Sequence, residues 1–570
     1  MDNPKLRAAL FFPRRIVWLI LTFLVMMAII SAFMRTAPGA PAQMLGPSMR
    51  TGQPVGEEIG RRLPSTLRLL GLATLVGMVL SMLIILIGVL VLGLRQKVPT
   101  LGAILQRLGQ IGVSFGVAMP AFTLGLFLLY LFALKLTWFP VAGWADLGSE
   151  RAFDLKHAVL PVLTLAILPA CLVARSVLGE IAHYQATNVE NRSASLLHVV
   201  LSFFGYGLIQ AIGMLSGALV VEMVFALPGV GRLFAESIFA QDDPMVLGLV
   251  RSFLIWALAL RALADLVQGI DGFVLLKLEA VEPEAAAPTS VERPSYPKVL
   301  SFVWIAFCLL LVIVPFLQGI GGFLTGGDRI MEQSLADRNL PPGSESAEGV
   351  TYAWGTDNLG RDIRGRARYA LGLDLGSSLL IALAVLIPAL LGGLLAGYLA
   401  KRGAIWADLL DDVVMFPAEV LTSLPGLILL AFILATTGPG LRNMLVWLAL
   451  AFVLPRCVRM VRNGWVAASP EKALWPRLVG IALGALILST GLAVITQPVL
   501  GLLGLGAQPP QPDLGAMLSE GMMFMMAAPH TVLRPGWTLL FAAFGWFLLA
   551  DTLLSRFGIY KREAWLELNR

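Results

Sequence analysis

The stretch Ile16–Met34, IVWLILTFLVMMAIISAFM, runs for 19 residues without a charged side chain. A helix rises about 1.5 Å per residue and a bilayer's hydrocarbon layer is about 30 Å thick, so about 20 apolar residues make a crossing. The rest of the 570-residue chain repeats the pattern. Apolar runs follow near 66–94, 110–134, 157–174, 200–225 and 246–270. A second series lies near 298–318, 374–399, 412–436, 441–455, 478–504 and 536–555. The reading is an all-α polytopic membrane protein with 12 predicted transmembrane helices, six in each half. With 57% hydrophobic and only 14% charged residues and a mean hydropathy of +0.81, a water-soluble fold that hides twelve apolar helices lacks the polar surface it needs.

Lys5, Arg7, Arg14 and Arg15 precede the first run, and Arg35 follows it without a small-residue cleavage site. We read a retained helix, not a signal peptide. An even number of spans puts both termini on one side, and the basic N-terminus with Lys561, Arg562 and Arg570 predicts that this side is the cytoplasm. Arg95, Lys97, Arg107 and the group Arg456, Arg459, Arg462, Lys472 and Arg477 fall on the same side, whereas Arg361, Arg364, Arg366 and Arg368 fall outside in a long loop. The net charge of +6 is assigned to orientation and membrane lipid; no basic soluble domain is present to hold nucleic acid. Cys171, Cys308 and Cys457 are scattered and read as small core side chains. His157, His183, His198 and His530 lack metal-ligand spacing, and no nucleophile elbow or dinucleotide fingerprint occurs. No catalytic or metal-binding residue is predicted.

The composition breaks at Glu279–Pro297, EAVEPEAAAPTSVERPSYP, where Pro, Ala and Glu replace the apolar background. This reads as a cytoplasmic linker between a first membrane domain, 1–278, and a second, 298–570. Each half has an external segment after its first helix, 35–64 and 319–370, and another between its fifth and sixth, 226–245 and 505–535. Matching segments at matching positions point to duplication.

Local strings sharpen this. Gly355–Asp362, GTDNLGRD, is similar to the signature before the second helix of one permease subunit of peptide-type ABC importers. Gly501–Glu520, GLLGLGAQPPQPDLGAMLSE, resembles a region near the end of that same subunit, with Leu514 where the family has Trp. Val220–Leu233, VVEMVFALPGVGRL, together with Arg62–Thr66, RLPST, and Leu136–Gly143, LTWFPVAG, resembles the partner subunit. The chain resembles a fused pair of peptide/nickel-type permease subunits, which implies a type I ABC importer pseudo-dimer in a bacterial inner membrane. The resemblance further implies two cytoplasmic ATPase subunits and an external substrate-binding protein as partners. The chain has no G-x-x-x-x-G-K-[ST] loop, so ATP is expected only on those partners.

Several residues are candidates for function. In GTDNLGRD, Gly355 and Gly360 relax the backbone while Asp357, Arg361 and Asp362 suit charge-assisted contacts that fix an external loop. Glu222, near hydrocarbon, is a gate-lining group or the anchor of the turn that Pro228 and Gly229 begin. Gly504, Gly506 and Pro510 shape the corresponding rim in the second half. Gln210, Asp265, Gln497 and Asp551 suit hydrogen bonding between helices. The loops that would couple to an ATPase, 180–197 and 463–480, depart from the family's EAA-like pattern. Glu180, Asn188 and Glu190 in the first, and Pro470, Glu471 and Ala473 in the second, are the degenerate coupling candidates. Two further readings stand beside the importer: a permease-derived scaffold in another membrane complex, possible holder of a quinone, pigment or lipid, and a carrier driven by an ion gradient.

Overall fold

The computed structural model describes residues 4–36, 46–141, 155–187, 192–281, 298–325, 330–346, 349–402, 404–467 and 474–557. In the first half α1 is Pro4–Thr36, α2 Val55–Lys97, α3 Pro99–Ala118, α4 Ala121–Leu128, α5 Leu155–Thr187, α6 Arg192–Val224, α7 Val230–Phe239 and α8 Asp243–Val281. In the second half α9 is Lys298–Thr325, α10 Ile363–Lys401, α11 Ile405–Leu421, α12 Gly426–Thr437, α13 Leu441–Trp447, α14 Leu454–Ala467, α15 Leu474–Leu502, α16 Leu514–Met522 and α17 His530–Phe557. A π-helical stretch, Leu129–Lys135, prolongs α4, and another, Leu448–Val453, joins α13 to α14. Two short antiparallel strands, β1 (Ser344–Glu345) and β2 (Thr351–Tyr352), ornament the loop before α10.

Ten described helices are long and apolar enough to cross a membrane, and two bent pairs bring the number to twelve. The bends occupy the third span of each half: α3 and α4 meet at 98°, and α11 and α12 at 68°. Proline causes both. Pro120 and Pro425 stand at the first residue before α4 and α12 in extended backbone, where the ring offers no N–H and pushes its predecessor out of the helical region.

The two halves pack by the same plan. The second span lies on the fourth, α2 on α5 and α10 on α14. The fifth lies on the sixth, α6 on α8 and α15 on α17. Across the seam, α1 of the first half lies on α11 and α12, α6 and α8 reach α12, and α17 returns the contact on α3 and α4. Aromatic rings line this seam: Trp18 with Phe416 at 4.9 Å, Phe33 with Trp447 at 5.3 Å, Phe115 with Phe544 at 5.4 Å and Phe127 with Trp537 at 4.6 Å. Arg107 of α3 lies 5.6 Å over the ring of Trp304 in α9. One continuous core holds buried residues of both halves. Lipid tails give helices no hydrophobic reason to associate, so close backbone approach matters instead; a Cβ on Gly372 would sit 2.3 Å from the carbonyl oxygen of Gly319. On the outward face of α2, Val79, Met82, Leu86 and Leu90 are each more than half exposed, a stripe that suits lipid. The chain is therefore a multi-pass, almost entirely helical membrane protein.

Two sequence expectations change. The first domain's last helix continues through Glu279, Ala280 and Val281, because Glu and Ala are good helix formers; residues 282–297 of the linker lie outside the described residues. Glu180 is not in a loop but within α5, which runs to Thr187.

Candidate functional site: two carboxylate-clasped turns

Each half carries a short helix between its fifth and sixth spans, α7 in the first and α16 in the second, and the turns before them hold the polar groups. In the first half Glu222 lies in the last turn of α6 and is 1% exposed. Its Oε1 accepts from the Thr66 hydroxyl at 2.6 Å, and its Oε2 accepts from the Arg232 backbone N–H at 2.9 Å. The same Thr66 oxygen accepts from the N–H of Val230 at 2.8 Å. Thus Glu222 reaches α2 and the free donors at the start of α7 together. The chain can come this close only without side chains. A Cβ on Gly229 would lie 2.1 Å from the Glu222 carboxyl, and one on Gly231 would lie 2.5 Å from the Leu219 Cα. Pro228 is half-buried beside it. Both carboxylate oxygens of Glu222 are engaged by this turn and by Thr66.

In the second half the clasping carboxylate is Asp513, 2% exposed, which caps α16 by accepting from the Ala516 N–H at 3.0 Å and from that of Ala507 at 3.4 Å. A Cβ on Gly501 would meet Asp513 at 1.9 Å, and one on Gly506 at 2.6 Å. Burial pushes the Asp513 carboxyl up, against the pull of these backbone donors. On α15, Gln497 takes the place that Glu222 has on α6. Its Oε1 accepts from Ser377 at 2.8 Å and its Nε2 donates to Ser378 at 2.6 Å, both on α10. Gly504, at φ +69°, faces Phe239 of α7, whose ring would lie 3.0 Å from a Cβ there. The rims of the two halves therefore touch at the seam. Pro510 is exposed and follows a cis peptide bond.

The lids are also tied by ion pairs. Glu520 of α16 meets Arg361 at 2.6 Å and Arg366 at 3.8 Å, while Asp357 accepts from Arg361 Nε at 2.7 Å and also pairs with Arg366. The Oδ1 of Asp357 further accepts from the N–H groups of Leu359 and Arg361. Asp362 caps α10, taking the N–H groups of Arg364 and Gly365. Glu236 of α7 has the equivalent role, with Arg62 at 3.4 Å, Arg50 at 3.5 Å and Arg232 at 2.8 Å.

The other candidates are dispersed. Glu180 is buried at the far end, where the Tyr206 hydroxyl donates to it at 2.6 Å and His198 lies 3.6 Å away; His198 also pairs with Asp271. Asn188, Glu190, Pro470, Glu471 and Ala473 lie outside the described residues, as does the side chain of Asp551. Gln210 is buried on α6, and Asp265 pairs with Arg261 at 3.3 Å. Among the described residues no three His, Cys, Asp or Glu side chains are grouped to hold a metal ion.

No protein-family model matches the chain. Curated relatives do. A putative peptide transport system permease protein of Brucella suis is 30% identical over 242 residues, covering 40% of this chain and 73% of that protein. The chain belongs to the permease family of peptide transport systems. The dipeptide transport system permease protein DppC of Alkalihalophilus pseudofirmus is 28% identical over 292 residues, 48% of this chain and 89% of its own length. The oligopeptide transport system permease protein AppB of Bacillus subtilis is 28% identical over 251 residues, 39% of this chain and 72% of its own. Each of these alignments uses less than half of the permease. The chain is a transport permease subunit.

Glu236, Glu520, Asp513 and Thr66 escape a reading of the permease by sequence alone. One signal was present. Glu222, Gly229 and Gly231 have the same spacing as Gln497, Gly504 and Gly506, and Glu236 and Glu520 are each the seventh residue of their short helix.

Proposed function

We propose that residues 1–278 and 298–570 are the two permease halves of an importer for peptides or related small solutes, joined through a linker and packed around one translocation seam. The observation that supports this best is the repeated architecture at the seam: a bent third span, a carboxylate-clasped Gly-x-Gly turn and an Arg–Glu-pinned short helix occur once in each half. Relatives of the two halves are permeases whose names specify dipeptide and oligopeptide transport. In this reading the lid end faces outward and receives the solute from an external binding protein. Two separate ATPase subunits act at the opposite end, where both termini lie, and ATP binds to them alone. Asp357, Arg361 and Asp362 hold the outer loop rigid, while Glu222, Pro228, Gly229, Gly504, Gly506 and Pro510 form the outer rim.

A transporter needs a rim that has two discrete arrangements, and two glycine turns held by single carboxylates provide hinges of that kind. The test is to purify the assembly from its native membrane in mild detergent, identify its subunits and reconstitute it with labelled di- and oligopeptides. Two ATPases, a binding protein and ATP-dependent uptake support the reading. Stable company of other membrane subunits with no ATPase would replace it with a scaffold role.

A further inference from the structure

Among the described residues of the second half, two buried carboxyl groups, Asp374 and Asp513, form no ion pair with a cation. Asp374, on α10, is 3% exposed, and its Oδ2 is buried with no hydrogen-bond partner. Asp513 is 2% exposed and is held by backbone donors against Gly501 and Gly506. Asp513 packs on α15 one turn from the point where that helix meets Asp374. Gln497, one turn before Gly501 on α15, fixes the approach by donating to the Asp374 carbonyl oxygen at 3.3 Å as well as to Ser378.

The charged groups on neighbouring elements have other partners. Arg361 and Arg366 hold Asp357 and Glu520 at the lid. Arg368 donates to the Gln318 carbonyl of α9, and Arg456 on α14 lies over the Phe452 ring and donates to that residue's carbonyl. On α17, His530 contacts the Thr356 carbonyl and Arg534 lies over the Trp354 ring. Two like charges buried side by side cannot both persist; one must be neutralised. The available donors decide which. Asp513 has backbone N–H groups that favour its charged form, while Asp374 has none that favour its own.

We propose that Asp374 and Asp513 bind one proton between them, carried on Asp374, and that the α16 lid exchanges this proton with water when it moves away from α10. The chemistry balances as a single ionisation: the carboxylic acid of Asp374 gives its proton to water when the lid lifts and regains one when the lid closes. Motion of the lid rests on the transport reading, but occupancy of the resting site does not. The site therefore makes outer gating sensitive to proton concentration, whatever solute crosses.

Infrared difference spectroscopy on the purified full-length permease in lipid nanodiscs tests the resting site without any transport. The expected result is a protonated-carboxyl C=O stretch at neutral pH that shifts in deuterated water and is lost in Asp374→Asn. In Asp513→Asn the band should disappear at a lower pH than in the wild type, because the neighbouring negative charge that opposes its ionisation has gone. A thermal melt of each variant confirms that it is folded. Absence of the band from folded wild-type protein overturns the proposal, as does an unchanged band in folded Asp374→Asn. A Na⁺-dependent rise in wild-type melting temperature, absent from Asp374→Asn and accompanied by no carboxyl band, would likewise overturn it in favour of a bound metal cation. Failure of peptide uptake alone bears only on the transport reading.

Discussion

Replacing Glu222 by Ala is the sharpest perturbation of the first turn. The carboxylate accepts from the Thr66 hydroxyl and the Arg232 N–H and interacts with the backbone of Gly231; with the side chain gone, three donors face a void. Each buried donor left unsatisfied costs about 1–3 kcal/mol, and the losses are not fully additive. The expected destabilisation is about 3–5 kcal/mol. Glu222→Gln keeps one acceptor oxygen but turns an amide against a donor, so its cost should be about 1–3 kcal/mol. Gly229→Ala attacks the same contact from the opposite side, since its methyl would sit 2.1 Å from the carboxyl, and should fall in the range of overpacked cores, about 1–3 kcal/mol. Chemical denaturation in detergent, followed by tryptophan fluorescence, measures all three. An Ala variant within about 1 kcal/mol of wild type would refute the claim that this carboxylate holds the turn. A Gln variant as damaging as Ala would show that charge, not bonding geometry, is decisive.

Arg361→Ala leaves Asp357 and Glu520 with a missing partner in a buried network and should cost about 3–5 kcal/mol by denaturation. Arg361→Lys should recover only part of this, because an ammonium cannot span both carboxylates as a guanidinium does, whereas Arg61→Ala, in an exposed pair with Glu57, should change stability by about 0–1 kcal/mol. Burial raises Asp513 from 3.8 to about 6, so the folded protein binds this proton more tightly than the unfolded chain. Its stabilising contribution is complete below pH 3.8 and is lost as pH rises through about 6. Unfolding measured across that interval should show stability falling as pH rises, a dependence that Asp513→Asn removes. Gly515→Ala would place a methyl 1.8 Å from the Pro498 carbonyl and should lower the melting temperature more than Gly376→Ala, which meets nothing within 4 Å.

The spans were legible because hydrocarbon thickness imposes a length on any apolar run, and both bent spans carry the proline that breaks them. Helix ends were less legible. The helix α2 begins at Val55, well before the apolar run at 66, because the polar turn that includes Glu57, Glu58, Arg61 and Arg62 lies outside hydrocarbon and pairs within itself and with α7. Glu180 looked like a loop residue because a buried carboxylate is rare; Tyr206 and His198, one helix away, supply what its burial requires. The Arg361–Glu520 and Arg62–Glu236 pairs join residues 159 and 174 positions apart, a distance over which charge pattern carries no signal. Motif resemblance located both glycine turns but not the carboxylate that clasps the second. Asp513 looked like one more polar residue in a proline-rich loop, and only the fold shows it pressed between Gly501 and the start of α16.

The claim that one chain folds as a pair of permease halves about a shared seam is tested most directly by cutting the chain between them. A protease site placed within residues 282–297 of the full-length protein, cleaved in mild detergent, separates the covalent link from the packing. The contacts of α1 with α11 and α12, and of α17 with α3 and α4, predict that both fragments elute together at the mass of the intact protein. Clean separation into two folded six-span fragments would contradict the account.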